Sequence, residues 1–405
     1  MNTGDTSFIL ISAALVFLMT PGLALFYGCM VRSKNVLGTT MHSFICLGLV
    51  TLVWVLWGYS LAFGRDTGGL IGGLNYLGLD GVGVDPVEAA PTIPHFAFMI
   101  FQCMFAIITP ALITGAFAER MKFGPFLIFI ILWVTLVYSP LCHWVWGGGW
   151  MAKIGALDFA GGAVVHMSSG ASALAAAIVF GKRRGYPHEP FIPHNLPLTI
   201  LGAGILWFGW FGFNAGSALS SSGLAAGAFV STHIAAAAAS LSWLLVEWSH
   251  RGHPTTLGAA SGAVAGLVCI TPAAGFVHPL SALIIGLAGG ALCYLGIMAK
   301  SKLGYDDSLD VVGIHGLGGA WGALATGIFA SKAVNPAGAN GLLFGNPAQL
   351  GIQFLSVAAT IVFCFVVTFI ILKLLKATVG LRVSEEEEVT GLDLSLHSET
   401  GYNLT

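Results

Sequence analysis

Residues 144–184 read WVWGGGWMAKIGALDFAGGAVVHMSSGASALAAAIVFGKRR: an aromatic, glycine-rich turn, an acid, an apolar run and a basic stop. Asp158 stands at the mouth of the apolar run, and His166 follows eight residues later. At about 1.5 Å per residue, continuous helix would put the imidazole roughly 12 Å below the carboxylate. Residues 306–332, DDSLDVVGIHGLGGAWGALATGIFASK, carry a second such device, with Asp310 five residues before His315. Each histidine is followed by Gly-Ala at the fourth and fifth positions, Gly170-Ala171 and Gly319-Ala320. Two apolar segments with one imidazole apiece point to a polar contact made inside a membrane.

Composition agrees. Of 405 residues 56% are hydrophobic and only 8% charged, against about 25% charged in soluble domains, and the mean hydropathy is +0.86. This is the profile of a polytopic membrane protein. The 55 glycines fit it, because small residues let membrane helices approach where lipid gives no hydrophobic drive. A net charge of −2 argues against a nucleic-acid partner. Seven cysteines lie in apolar segments with no C-x-x-C pair, so no disulfide framework, metal site or cofactor is expected. The N-terminus lacks a basic stretch before its apolar run, so the first helix is expected to be retained rather than cleaved.

Apolar runs long enough to cross a bilayer fall at 7–31, 42–64, 93–117, 124–146, 160–181, 197–217, 224–249, 256–274, 279–299, 311–331 and 348–376. The expected fold is therefore all-α and polytopic, with eleven transmembrane helices. With the C-terminus inside, thirteen of the sixteen Lys and Arg fall on the cytoplasmic side, leaving Arg65, Lys153 and Lys332 outside. That asymmetry is the one topology demands, and it puts the N-terminus outside. The tetrapeptide ITPA occurs at 108–111 in the third run and at 270–273 in the eighth. A five-span unit repeated must be inverted, and inverted repeats meet at a midplane site. The expected division is a first five-helix repeat (1–181), a cytoplasmic linker (182–197), a second repeat (198–334), an eleventh helix (335–378) and a cytoplasmic tail (379–405).

His166 lies 13 residues after Lys153 and His315 lies 13 after Lys302, so both sit near mid-depth. An ionisable group there is a functional candidate; the plainer alternative is that each imidazole bonds a backbone carbonyl and ties helices together. His42, His95, His143, His233 and His278 lie nearer helix ends and are not placed in the site. Asp158 is read both as a helix N-cap and as an attractor of cations, whereas Asp310 is read as a cap. Trp144, Trp150 and Trp207 suit an interface. Trp146, before three glycines, offers an indole face to a small cation. Phe213 and Ser217 are one turn apart, so a ring and a hydroxyl can face one cavity. Paired mid-membrane histidines are also the signature of a bis-histidine haem protein, which would need further ligand pairs.

The stretches PGLALFYGCMVRSKN (21–35), FQCMFAIITPALITGAFAER (101–120), HWVWGGGW (143–150), GALDFAGGAVVH (155–166), WFGWFGFNAGSA (207–218), SGAVAGLVCITPAAGF (261–276), DVVGIHGLGG (310–319) and VGLRVSEEEEVTGLDLSLHSETGYN (379–403) closely resemble the ammonium transporters of the Amt/Mep/Rh superfamily, prokaryotic Amt type. The resemblance covers essentially the whole chain. It implies an outer recruitment site made by Trp146, Phe105 and Ser217, with Asp158 shaping it. It further implies a gate of paired rings, Phe105 and Phe213, above a hydrophobic conduit lined by the twin histidines His166 and His315. Ammonium, and methylammonium in its place, would bind outside, lose a proton and cross as ammonia, with the histidines carrying the proton. The resemblance also implies a homotrimer in the cell membrane and a tail that packs on the cytoplasmic face, where a PII-type regulatory protein can dock. A non-transporting ammonium sensor on the same fold is the alternative.

Overall fold

In hydrocarbon every backbone N–H and C=O must be paired within the chain, so long apolar runs become helices. The computed structural model describes residues 1–403. Among these the helices, in chain order, are α1 (Thr3–Met30), α2 (Ser33–Phe63), α3 (His95–Phe117), α4 (Phe123–Lys153), α5 (Gly162–Phe180), α6 (Leu196–Gly216), α7 (Gly223–Arg251), α8 (Thr256–Ile270), α9 (Pro279–Leu303), α10 (Val312–Phe329) and α11 (Pro347–Thr378). All but α8 are long and apolar enough to cross a membrane, and α8 is a shorter apolar helix of 15 residues. The chain is thus an all-α polytopic membrane protein. The sequence places the eighth run at 256–274, but its helix stops at Ile270. Pro272, which follows in a turn, has no N–H to extend the helical ladder.

Helices α3 and α5 form the centre: 89% of the most apolar stretch of each is buried, against 39% for α2, α9 and α11. Helix α1 packs along α6, α7 along α8 and α9, and α5 against α10. The last contact depends on the glycine four residues after each histidine. A Cβ on Gly170 would stand 2.2 Å from Cα of Gly316, and one on Gly319 would stand 3.0 Å from Cβ of His166. Both histidines lie in π-helical turns, Gly162–Met167 and Val312–Leu317, a widened helix that is common at functional sites.

One face of the molecule gathers the basic residues and is tied by buried ions. Glu119 accepts from Arg32 (2.9 Å), Asn35 (2.8 Å) and Arg183 (3.2 Å). Asp306 takes Arg183 in a two-pronged pair, both contacts 2.9 Å. Burial alone would raise these two carboxyls, but the facing guanidinium groups hold both below the ordinary range. The tail, with short helices α12 (Glu385–Thr390) and α13 (Leu392–His397), lies against this basic face. Glu388 joins Arg382 (2.7 Å) and the backbone of Arg184 (2.8 Å), while Asp393 accepts from Gly38 N (2.8 Å).

Candidate functional site

At the face opposite the basic one, Trp146 at the end of a helical turn, Phe105 of α3 and Ser217 at the C-cap of α6 line one cavity of about 260 Å³. Phe105 meets Trp146 edge to face at 5.8 Å. The Ser217 hydroxyl donates to Phe213 O (2.8 Å), so its oxygen keeps lone pairs for a guest. The cavity therefore offers aromatic faces and an acceptor oxygen, the requirements of a small cation.

Asp158 is close by but turned away from the cavity. Its Oδ1 accepts from Gly161 N (2.8 Å) and Gly162 N (2.6 Å), and its Oδ2 from Ala163 N (2.7 Å) and Val164 N (3.3 Å). These are the unpaired donors of the first turn of α5. Asp158 lies outside the helix, and a turn at 159–161 separates it from the turn that carries His166, so the continuous helix behind the 12 Å spacing is absent. Its main-chain oxygen accepts from Trp146 Nε1 at 2.9 Å, so one residue sets both the indole and the start of α5.

Beneath the cavity, the rings of Phe105 and Phe213 lie 4.2 Å apart, each about 1% exposed, and close the way inward. Below them a narrow apolar cavity, lined by Phe213, Trp210, Leu112, Tyr27 and both histidines, has about 10 Å³ of free volume. That is barely room for one water.

His166 and His315 lie nearly parallel, centroids 5.3 Å apart, with Nδ1 to Nδ1 at 3.2 Å. The tautomers follow from the neighbours. Thr271 donates to Leu267 O (2.7 Å) and accepts from Trp210 Nε1 (2.9 Å), leaving one lone pair for the longer 3.4 Å contact from His166 Nε2. The proton of His166 is then on Nε2, so His315 Nδ1–H donates to His166 Nδ1, and His315 Nε2 keeps a lone pair. The pair bonds to itself and to Thr271, not to backbone carbonyls.

Asp310 does not cap α10. It sits in left-handed backbone at φ 64° and pairs with Lys300 (2.5 Å). Asp307 is the cap, accepting from Val312 N at 2.7 Å. Four residues at the site escaped the sequence reading. Gln102 lines the cavity of Trp146 and Ser217 and has a buried, unpartnered Oε1. Trp210 stacks on His166 at 5.4 Å. Thr271 and Asp307 are the others. The ITPA repeat held the signal for Thr271, and the eight-residue offset from Asp158 to His166, repeated from Asp307 to His315, held the signal for Asp307.

A model of the Ammonium Transporter Family matches residues 7–402. The ammonium transporter of Bacillus subtilis is 56% identical over 403 residues, covering 99% of each chain. The crystal structure of Candida albicans Mep2 superposes with a TM-score of 0.91 at 37% identity, covering 96% of this chain and 88% of that one. A structure titled Sensor Amt Protein gives a TM-score of 0.90 at 32% identity, covering 97% and 98%.

Proposed function

The chain belongs to the ammonium transporter family, and from that premise we propose that it binds ammonium at Trp146, Phe105 and Ser217, removes its proton and conducts ammonia past His166 and His315. The observation that carries this reading is the stacking, in one column, of a cation-suited cavity, a closed ring pair and a narrow apolar cavity with two hydrogen-bonded imidazoles. A bare ion entering so narrow an apolar passage would lose its hydration without recompense. Neutral ammonia would not. The two imidazoles, hydrogen-bonded to one another, present a donor and an acceptor along which a proton can pass. Asp158 acts by holding the indole and the helix start rather than by touching the cation.

On this reading the membrane is crossed eleven times, α8 included, by two inverted five-helix repeats (1–181 and 198–334), joined by the linker 182–197 and followed by the eleventh helix (335–378). The N-terminus is outside and the basic face with its tail is cytoplasmic, in line with the charge asymmetry. The assembly is a homotrimer, methylammonium is an alternative substrate, and a PII-type protein docks at the tail. Haem between the histidines is disfavoured, because Nδ1 atoms 3.2 Å apart leave no space for a macrocycle.

Sensing is the second reading, supported by the likeness to the Sensor Amt Protein structure. Purified protein in liposomes decides between them. Transport gives an ammonium-dependent, saturating current or flux; ammonium binding with neither would leave sensing.

A further inference from the structure

Asp158 and Asp307 each stand eight residues before a histidine and each caps the π-helical turn that carries it. Their carboxylates are used differently. Both oxygens of Asp158 are taken up by backbone N–H groups, whereas Asp307 accepts from Val312 N through Oδ2, with the Val311 N–H also favouring its ionised form. Oδ1 of Asp307 has no hydrogen-bond partner among the described residues, although the side chain is 0% exposed. A buried carboxylate oxygen left unpaired costs stability, and capping needs only its partner.

Neighbours of Asp307 line the conduit. Tyr27 of α1 lines the narrow cavity with His315, and its ring lies within electrostatic reach of Asp307 and Asp310. Leu309, two residues beyond Asp307, lines the same cavity. The charged and titratable groups around Asp307 are Lys300 of α9, Arg120 of the turn after α3, Tyr27 of α1, and Tyr305 and Asp310 of its own loop. Lys300 donates to Asp307 O (2.7 Å) and to Asp310 Oδ1, not to the free oxygen.

We propose that Asp307 Oδ1 is the inner proton acceptor of the conduit, taking the proton that ammonium gives up outside after it has crossed the histidine pair. The inference rests on the proton-separating reading above. Ammonium loses an N–H bond at the outer cavity, and the arriving proton forms an O–H bond at Asp307 Oδ1. That bond breaks as the proton passes to cytoplasmic water or to the emerging ammonia, which restores ammonium. Burial pushes the Asp307 carboxyl up to about 6, against the pull of Lys300, so the group exchanges its proton near neutral pH.

The test is the ammonium-driven current of the full chain in liposomes, with equal pH on both sides, stepped from about 5 to 8. Wild type should titrate with a midpoint near pH 6. Asp307→Asn, which keeps an acceptor for Val312 N–H, should lower the current roughly 100-fold and abolish the titration. Lys300→Met removes the cation that favours the ionised form and should move the midpoint up by about one pH unit. A folded Asp307→Asn protein with wild-type current and profile overturns the inference. Should that variant fail to fold, an unmoved midpoint in Lys300→Met overturns it instead. Ammonium-driven flux without current in wild type would likewise overturn the inference, whereas absence of both at every pH would defeat the transport reading itself, a distinguishable result.

Discussion

At the scale of single residues, Trp146 is expected to contribute affinity and little else. Trp146→Leu removes the indole face while keeping an apolar filler, and a cation–π contact is worth about 0.5–2 kcal/mol. The half-saturating ammonium concentration should therefore rise roughly 2- to 30-fold, measured as flux against concentration. Asp307 gives a prediction of opposite character. Its carboxyl is raised from 3.8 to about 6, so the folded state holds the proton over a range where the unfolded chain has lost it. Stability should consequently fall as pH rises between those two values. Asp307→Asn should flatten that part of the melting-temperature profile in detergent; an unchanged slope would show that the group does not titrate there. These residues were unequally legible. Trp146, Ser217, His166 and His315 could be singled out from their own local sequence, Phe105 only through the family resemblance, and the structure places all five along one column. Asp307 was passed over for Asp310 because the nearer acid looked like the cap. Spacing cannot reveal that Asp310 would adopt φ 64° and turn to Lys300.

At the scale of elements, the crossing of α5 and α10 is what brings the imidazoles together. Gly170→Ala would place a methyl where Gly316 Cα already stands. Overpacking of this kind typically costs about 1–3 kcal/mol, and here it should also spread the histidine pair. A lowered melting temperature together with lowered flux is expected; an unaffected variant would show that the two helices can separate freely. The ion cluster of the basic face is a second element-level device. Arg183→Met leaves the buried Glu119 and Asp306 without their shared cation, and breaking a buried pair costs about 3–5 kcal/mol. Folded yield should drop, and restoring it would take neutralisation of a carboxylate as well. The apolar runs were legible to within a few residues, since lipid leaves the backbone no alternative to helix. The π-helical turns were not, because a widened turn has the same composition as an ordinary one. Nor was the early stop of α8, where a run of apolar residues continues through Thr271 and Pro272 after the helix has ended.

At the scale of the whole molecule, the composition and the long apolar runs already implied an all-α polytopic membrane protein. The packing of the tail on its own chain was beyond reach of periodicity. It rests on single contacts such as Glu388 with Arg382 and Asp393 with Gly38. On the proposed mechanism, a column open at the face opposite the basic one and closed at Phe105 and Phe213 makes selectivity a property of its narrowest apolar part. Two neutral imidazoles offer hydrogen bonds to ammonia but no anion to replace the water of a bare cation. Potassium and ammonium flux through purified protein in liposomes, compared for wild type, His166→Asp and His315→Asp, tests this directly. Wild type should carry ammonium and exclude potassium, while a carboxylate at either position should admit potassium to the extent that burial leaves it ionised. If both variants fold, carry ammonium and reject potassium as wild type does, the histidine pair is not what selects.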